Sequence, residues 1–127
     1  MSDKEAALNA MRRVIFAVNA GDNDACLAGM SDDVVIVDDV APYRRTGRQD
    51  AEQWLSRLAN TRQRLYASLK LGDAEVRVAS NRAYIVAPGS LKGSLVESDF
   101  EINGVVTSTL VERDGKWLLD SLIWTGL

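Results

Sequence analysis

The spacing of apolar positions along this chain changes once, near residue 65. Before that point Leu8, Met11, Ile15 and Val18 recur at i, i+3, i+7 and i+10, one face of an amphipathic helix of about five turns. Ser2 and Glu5 stand at the spacing of a capping box, and Gly21 after Asn19-Ala20 can take the left-handed conformation that ends a helix. Asp22 then caps a second, short helix carrying Cys26, Leu27 and Met30. The β-branched run Val34-Val35-Ile36-Val37 predicts a strand that runs into Asp38-Asp39. Residues 40–47, with Pro42 and Gly47, read as a loop. Ala51, Trp54, Leu55 and Leu58 predict a third helix over roughly 48–60.

From Leu65 onward the segments are β-rich and broken by Gly72-Asp73, Ser80-Asn81, Asn103-Gly104 and Asp114-Gly115. The last is a strong hairpin signal between Thr107–Val111 and Trp117–Leu119. No repeat, low-complexity tract or linker interrupts residues 1–127, so helices first and strands afterward belong to one α+β domain. Helices packed on one face of a few long strands force the sheet to curl, and Pro88, Gly89 and Gly93 fall where a strand bends or bulges. The expected shape is a cone, a strongly curved antiparallel sheet with three N-terminal helices at its mouth. Leu118, Leu122 and Trp124 alternate with Trp117, Leu119 and Ile123, and both sets are largely apolar. A second face that also needs cover predicts a homodimer through the sheet.

Composition narrows the chemistry. A chain of 127 residues with 46% hydrophobic and 26% charged residues is a single globular domain rather than a disordered segment. A net charge of −3 argues against nucleic acid as a partner. No run approaches the ~18 apolar residues of a membrane span, and Met1-Ser2-Asp3-Lys4-Glu5 lacks the order of a signal peptide, so no membrane partner and a cytoplasmic location are expected. The absence of histidine removes Ser-His-Asp and Cys-His triads, imidazole acid–base work and the usual zinc and iron sites. Chemistry must then rest on carboxylates, hydroxyls, lysine or arginine. Without metal-ligand spacing, a glycine-rich phosphate loop or a nucleotide fingerprint, no metal and no cofactor are implied. Cys26, in an apolar run with acidic neighbours, reads as a packing thiol.

Four stretches bring a family into view: Val18-Asn19-Ala20-Gly21-Asp22, Ser31-Asp32-Asp33-Val34-Val35-Ile36-Val37-Asp38, Thr46-Gly47-Arg48, and Arg113-Asp114-Gly115-Lys116-Trp117-Leu118-Leu119. In this order they resemble the nuclear transport factor 2-like superfamily, which includes steroid delta-isomerases, SnoaL-like polyketide cyclases and scytalone dehydratase. The resemblance covers nearly the whole chain. It implies a cystatin-like α+β roll, and pairing through the outer sheet face as in many members. The fold hosts enzymes, binding modules and assembly domains alike. The resemblance places Asp38 where steroid isomerases carry their general base. Val14 and a position on or near Thr109 stand where those enzymes hold the tyrosine and protonated aspartate of the oxyanion hole. Neither side chain replaces such a donor, which argues against steroid isomerisation by that mechanism.

Candidate site residues follow from the same resemblance. Adjacent acids after a strand either solvate a loop or put one carboxylate into the interior, and the matched position favours Asp38, with Asp39 taking its place if the register is off by one. Asp38 facing the cone near Thr109 and the Tyr84–Ser90 strand, with no arginine beside it, would shuttle a proton in an isomerisation, cyclisation or dehydration, Tyr84 or Ser90 donating to the substrate oxygen. Tyr84 and Ser90 share one strand face, and Thr107 and Thr109 share a face of the next. With Trp54 and Val14 they would line a pocket for a small apolar or moderately polar molecule, unless the hydroxyls satisfy backbone groups and Trp54 and Trp117 anchor the core. Trp124 either closes the cone or lies on the outer face. Arg44 or Arg45, beside Tyr43, either receives an anionic ligand at the mouth or is solvated. The leading function is therefore a binder of a small, largely apolar molecule, with Asp38 as the proton shuttle if the domain is an enzyme; the alternative is a non-catalytic binding or dimerisation module. An empty cavity reached by Asp38 favours the first, and a cone plugged by Trp54 and Tyr84 the second.

Overall fold

The computed structural model describes residues 1–62, 65–95 and 98–127. Helix α1 (Asp3–Ala20) starts where Ser2 Oγ accepts the Glu5 N–H at 3.1 Å and stops at Gly21, whose φ of 72° only glycine adopts at little cost. Asp22 Oδ1 accepts the Ala25 N–H at 3.1 Å and so opens α2 (Asn23–Ala28). The buried stripe of α1 is Ala7, Ala10, Met11, Val14, Ile15 and Ala17. Cys26 is fully buried beneath it, its thiol pointing to the Val14 carbonyl at 3.9 Å.

Strand β1 (Met30–Val37) begins four residues before the β-branched run, and β2 (Arg44–Thr46) lies inside what reads as a loop. A three-residue strand leaves no periodic trace, because it is made by pairing rather than by pattern. Helix α3 (Arg48–Arg62) buries Ala51, Trp54 and Leu55. Then come β3 (Leu65–Leu71), β4 (Glu75–Ala79), β5 (Arg82–Leu95), β6 (Ser98–Arg113) and β7 (Lys116–Gly126). Asp114 and Gly115, at φ 53° and 77°, form the tight turn between β6 and β7.

The strands make one curved sheet in the order β2-β1-β7-β6-β5-β3, with β4 also paired to β5. Among the described residues the pairings are antiparallel except β1 with β7, which is parallel. Asn103-Gly104, expected as a turn, lies within β6, where Gly104 pairs with Gly89. The glycine serves close approach instead: a Cβ there would fall 2.7 Å from Trp124 Cη2 and clash with the Thr125 carbonyl.

Helices α1 and α3 cover the concave face. Against them stand Ile36 of β1, Ala83, Ile85 and Ala87 of β5, Val106 and Leu110 of β6, and Leu119 and Leu122 of β7. A bulge in β7 decides which aromatic residues join them. Leu110 pairs with Leu119 but Thr109 pairs with Ser121, so Asp120 is an extra residue and the strand's alternation inverts across it. Trp117, Leu119, Leu122 and Trp124 therefore all face inward, while Leu118 and Ile123 face outward, which corrects the strict alternation expected along 117–124. Asp120 is held by Ser31 Oγ at 2.8 Å and Arg82 Nη1 at 3.2 Å.

One side chain ties α1 to β3. Asn19 donates to the Leu69 carbonyl at 2.8 Å and accepts the Leu69 N–H at 2.9 Å, pairing with that residue as a neighbouring strand would. Asn19→Ala leaves both groups of Leu69 without this partner. It should lower the unfolding free energy by about 1–3 kcal/mol with no change of fold, measured as a shift of the urea midpoint; an unchanged midpoint would contradict this account.

Candidate functional site

The site grows from the hairpin of β1 and β2. Ile36 pairs directly with Arg45, so the Arg45 side chain leaves β2 on the concave side, where Asp38, two residues beyond Ile36, also points. Arg45 Nη1 donates to Asp38 Oδ1 at 2.9 Å, and Trp54 Nε1 reaches down from α3 to donate to Asp38 Oδ2 at 3.0 Å. The Val40 N–H donates to Asp38 Oδ1 at 3.1 Å. Arg45 Nη2 lies 3.4 Å from the carbonyls of Val40 and Ala41. The side chains of Arg45 and Asp38 are 7% and 15% exposed, so the pair is largely withdrawn from water.

This arrangement places Asp38 on the cone side but not as an unaccompanied carboxylate. Both oxygens are engaged, one by a fixed cation. Arg45 is thus neither solvated nor waiting at a mouth for an anion; its charge is answered within the chain. The missing signal was the pairing of a three-residue strand, since Arg45 faces Asp38 only once β2 lies beside β1.

The expected ligand lining divides between two faces. Tyr84 and Thr109 are direct cross-strand partners, as are Val86 and Thr107, and all four lie on the convex side, with Tyr84 52% and Val86 46% exposed. Their odd neighbours Ala83, Ile85 and Ala87 are the buried set, so the strand-face expectation for Tyr84, Ser90, Thr107 and Thr109 is corrected by one residue in register. Sequence alternation could not choose, because both faces of β5 and β6 carry apolar residues. Thr109 Oγ1 and Ser121 Oγ are 2.7 Å apart on that outer face, and Ser90 Oγ donates to Glu101 Oε1 at 2.9 Å. Asp38 therefore stands apart from all four hydroxyl residues. Val14 is also corrected: it is fully buried against α2, where a Cβ on Gly29 would lie 2.5 Å from Val14 Cγ2. Trp54, 9% exposed, joins the core while its N–H serves Asp38.

Trp124 fills part of the cone's interior. The Trp124 ring lies over the bare backbone of the Gly89–Gly104 pair: a Cβ on Gly89 would meet Trp124 Cζ3 at 3.0 Å, Val106 Cγ2 at 3.2 Å and Leu69 Cδ1 at 3.3 Å. The plug is thus Trp54 and Trp124, whereas Tyr84, expected to share it, is outside. Two depressions on the described surface lie elsewhere. One, of about 510 Å³, is on the outer side of α3 beside Glu52 and Arg57; the other, of about 550 Å³, lies between α1 and α2 beside Phe16. Among the described residues no three acidic or thiol groups converge as a metal site requires, and no helix is long and apolar enough to cross a membrane.

Solved structures share this architecture at low identity. A ketosteroid isomerase-like protein from Erwinia carotovora superposes with a TM-score of 0.82 at 12% identity, covering 99% of this chain and 97% of its own. A Novosphingobium aromaticivorans protein named for scytalone dehydratase gives 0.82 at 14% identity, over 97% of this chain and 83% of its own. A nuclear transport factor 2-like protein with a cystatin-like fold from the same organism gives 0.84 at 15% identity, over 98% and 82%. At such identities the likeness speaks for the fold alone. No curated protein matches the chain. The SnoaL-like domain profile does match, from Ala7 on the buried stripe of α1 to Ser121 just past the bulge of β7, and over that span the chain belongs to the SnoaL-like domain family.

Proposed function

We propose that this SnoaL-like domain is a non-catalytic binding and dimerisation module whose Asp38 is structural. The supporting observation is the double engagement of the Asp38 carboxylate by Arg45 and Trp54. A general base needs a lone pair free for the proton it takes and a substrate within reach of it. Here three of the roughly four lone-pair sites, two on Oδ1 and one on Oδ2, instead join β1, the 38–43 loop, β2 and α3 at one point. The outer sheet face is the working surface. Val35, Val37, Val86, Val105, Thr107, Thr109 and Ile123 make a mixed apolar and hydroxyl surface on which a second copy would find both burial and hydrogen bonds.

A second reading keeps the neighbours' names in play, namely an isomerase, cyclase or dehydratase that uses Asp38 as a proton shuttle on a largely apolar substrate. One observation favours it: the carboxylate is on the concave side and screened from bulk water. That reading needs Arg45 and Trp54 to let go of Asp38 when substrate enters.

Asp38→Asn separates the two. For a structural carboxylate the substitution strands the Arg45 charge and should cost about 2–4 kcal/mol, somewhat less than a fully buried pair, with much of the loss recovered when Arg45→Met is added. A shuttle would lose, in addition, the turnover of a substrate that the native chain converts. Denaturant unfolding of the single and double variants tests the structural role, which a native-like midpoint for Asp38→Asn would reject, and a turnover abolished by Asp38→Asn would reject the non-catalytic reading.

The dimer has its own test. Light scattering at micromolar concentration should give twice the 13.9 kDa chain mass, and Val86→Arg, at a position already 46% exposed, should halve that mass while leaving the circular dichroism unchanged. A native protein that scatters as a single chain would overturn the proposal.

A further inference from the structure

We propose that the outer face of α1, where it meets α2, pairs with the same face of a second copy of this chain. Phe16 stands there 76% exposed, more than any other aromatic ring among the described residues. A ring held in water on a helix surface is apolar area that burial would stabilise. Beside it lies the depression of about 550 Å³, lined toward α2 by Ala17, Ala20 and Ala25. Three methyl groups make a hollow rather than a ridge, and a ring can enter it from outside.

The charges around the ring sort by position. Arg12 and Arg13 lie one turn before Phe16, and Asp22 lies just past the C-terminal end of α1, at the cap of α2; all three border the same depression. Both guanidinium groups are exposed and without a hydrogen bond or ion pair among the described residues, and Asp22 gives only Oδ1 to the Ala25 N–H. The patch is therefore basic at one end, aromatic and small in the middle, and acidic at the other. An isologous contact sets each end of a patch against the opposite end of the second copy. Two α1 helices packed antiparallel about a two-fold axis near residue 18 would put each Phe16 over Ala20 and Ala25 of the second copy and bring Arg12 and Arg13 to its Asp22. A partner of one charge sign would meet like charge at one end, whereas the same patch reversed answers both. Eight residues line the depression, against the roughly 20–30 a side of a standard interface, so the contact is weak, with a Kd of about 0.1–1 mM. It uses nothing on the outer sheet face and does not depend on the pairing of that face.

Sedimentation equilibrium reads the contact. Between about 10 μM and about 1 mM the native chain should at least double its mass over the micromolar plateau, whether that plateau is one chain or two. Phe16→Asp should hold the plateau throughout, with native circular dichroism. Should that variant fail to fold, Phe16→Ala, which installs the strongest helix former, should weaken the association at least about fivefold. Asp22→Asn, which keeps the cap, should weaken it at least about threefold, as should Arg12→Gln with Arg13→Gln. The triple variant should lose no more than either, because each change breaks the same cross-copy pair. A native mass that stays on its plateau overturns the proposal and leaves the groove to a partner of other chemistry. A rise that Phe16→Asp leaves intact, or charge losses that multiply in the triple variant, also overturns it.

Discussion

A curved sheet has one face that helices can close, and everything on this molecule follows from which residues that face receives. Side chains alternate along a strand, so a shift of one residue exchanges the inside for the outside. In β7 the chain makes that shift on purpose: the bulge at Asp120 lets Trp117, Leu119, Leu122 and Trp124 all reach the concave side. Ser31 and Arg82 grip the extra residue from β1 and β5. A regular β7 would send either the first pair or the second to the convex face, and the cone would lose half of what β7 contributes to it.

How much of this was legible depends on whether a feature is local. The capped start of α1, the Gly21 stop, the Asp22 cap and the Asp114-Gly115 turn are decided by residues within a few positions of one another, and they read directly from the chain. The cone as a fold class followed from the change of period near residue 65. Facing was another matter. Tyr84 and Ile85 are adjacent and both apolar enough for a core, so only the helices opposite decide that Ile85 is inside. Asn103-Gly104 carries a turn's composition, yet its glycine answers a ring from a different strand. The partnership of Asp38 with Arg45 and Trp54 joins three elements, and no spacing within any one of them announces it.

The Asp38 cluster shows how a position associated with acid–base work can be spent on architecture. A chain without histidine has few ways to hold and release protons near neutrality. Its one inward carboxylate at the end of β1 is bonded to a guanidinium, an indole and a backbone amide. The same three bonds fix the entry of α3 and the short β2 strand, which has only three residues of its own to stay in place. Fold and any site chemistry thus draw on one side chain, and in this geometry three of its bonds serve the fold.

The amide of Asn19 also has a consequence outside the folded monomer. Strand β3 lies at the end of the sheet order, paired on one side to β5, so the opposite side presents backbone groups that another chain's strand can join. By taking both groups of Leu69, the Asn19 side chain interrupts that row in its middle. The sheet border is left with no long uninterrupted run for an incoming strand. A side chain that looks like a fastening between helix and strand therefore doubles as a guard against edge-to-edge aggregation, beside the exposed charge of Lys70 on the same strand.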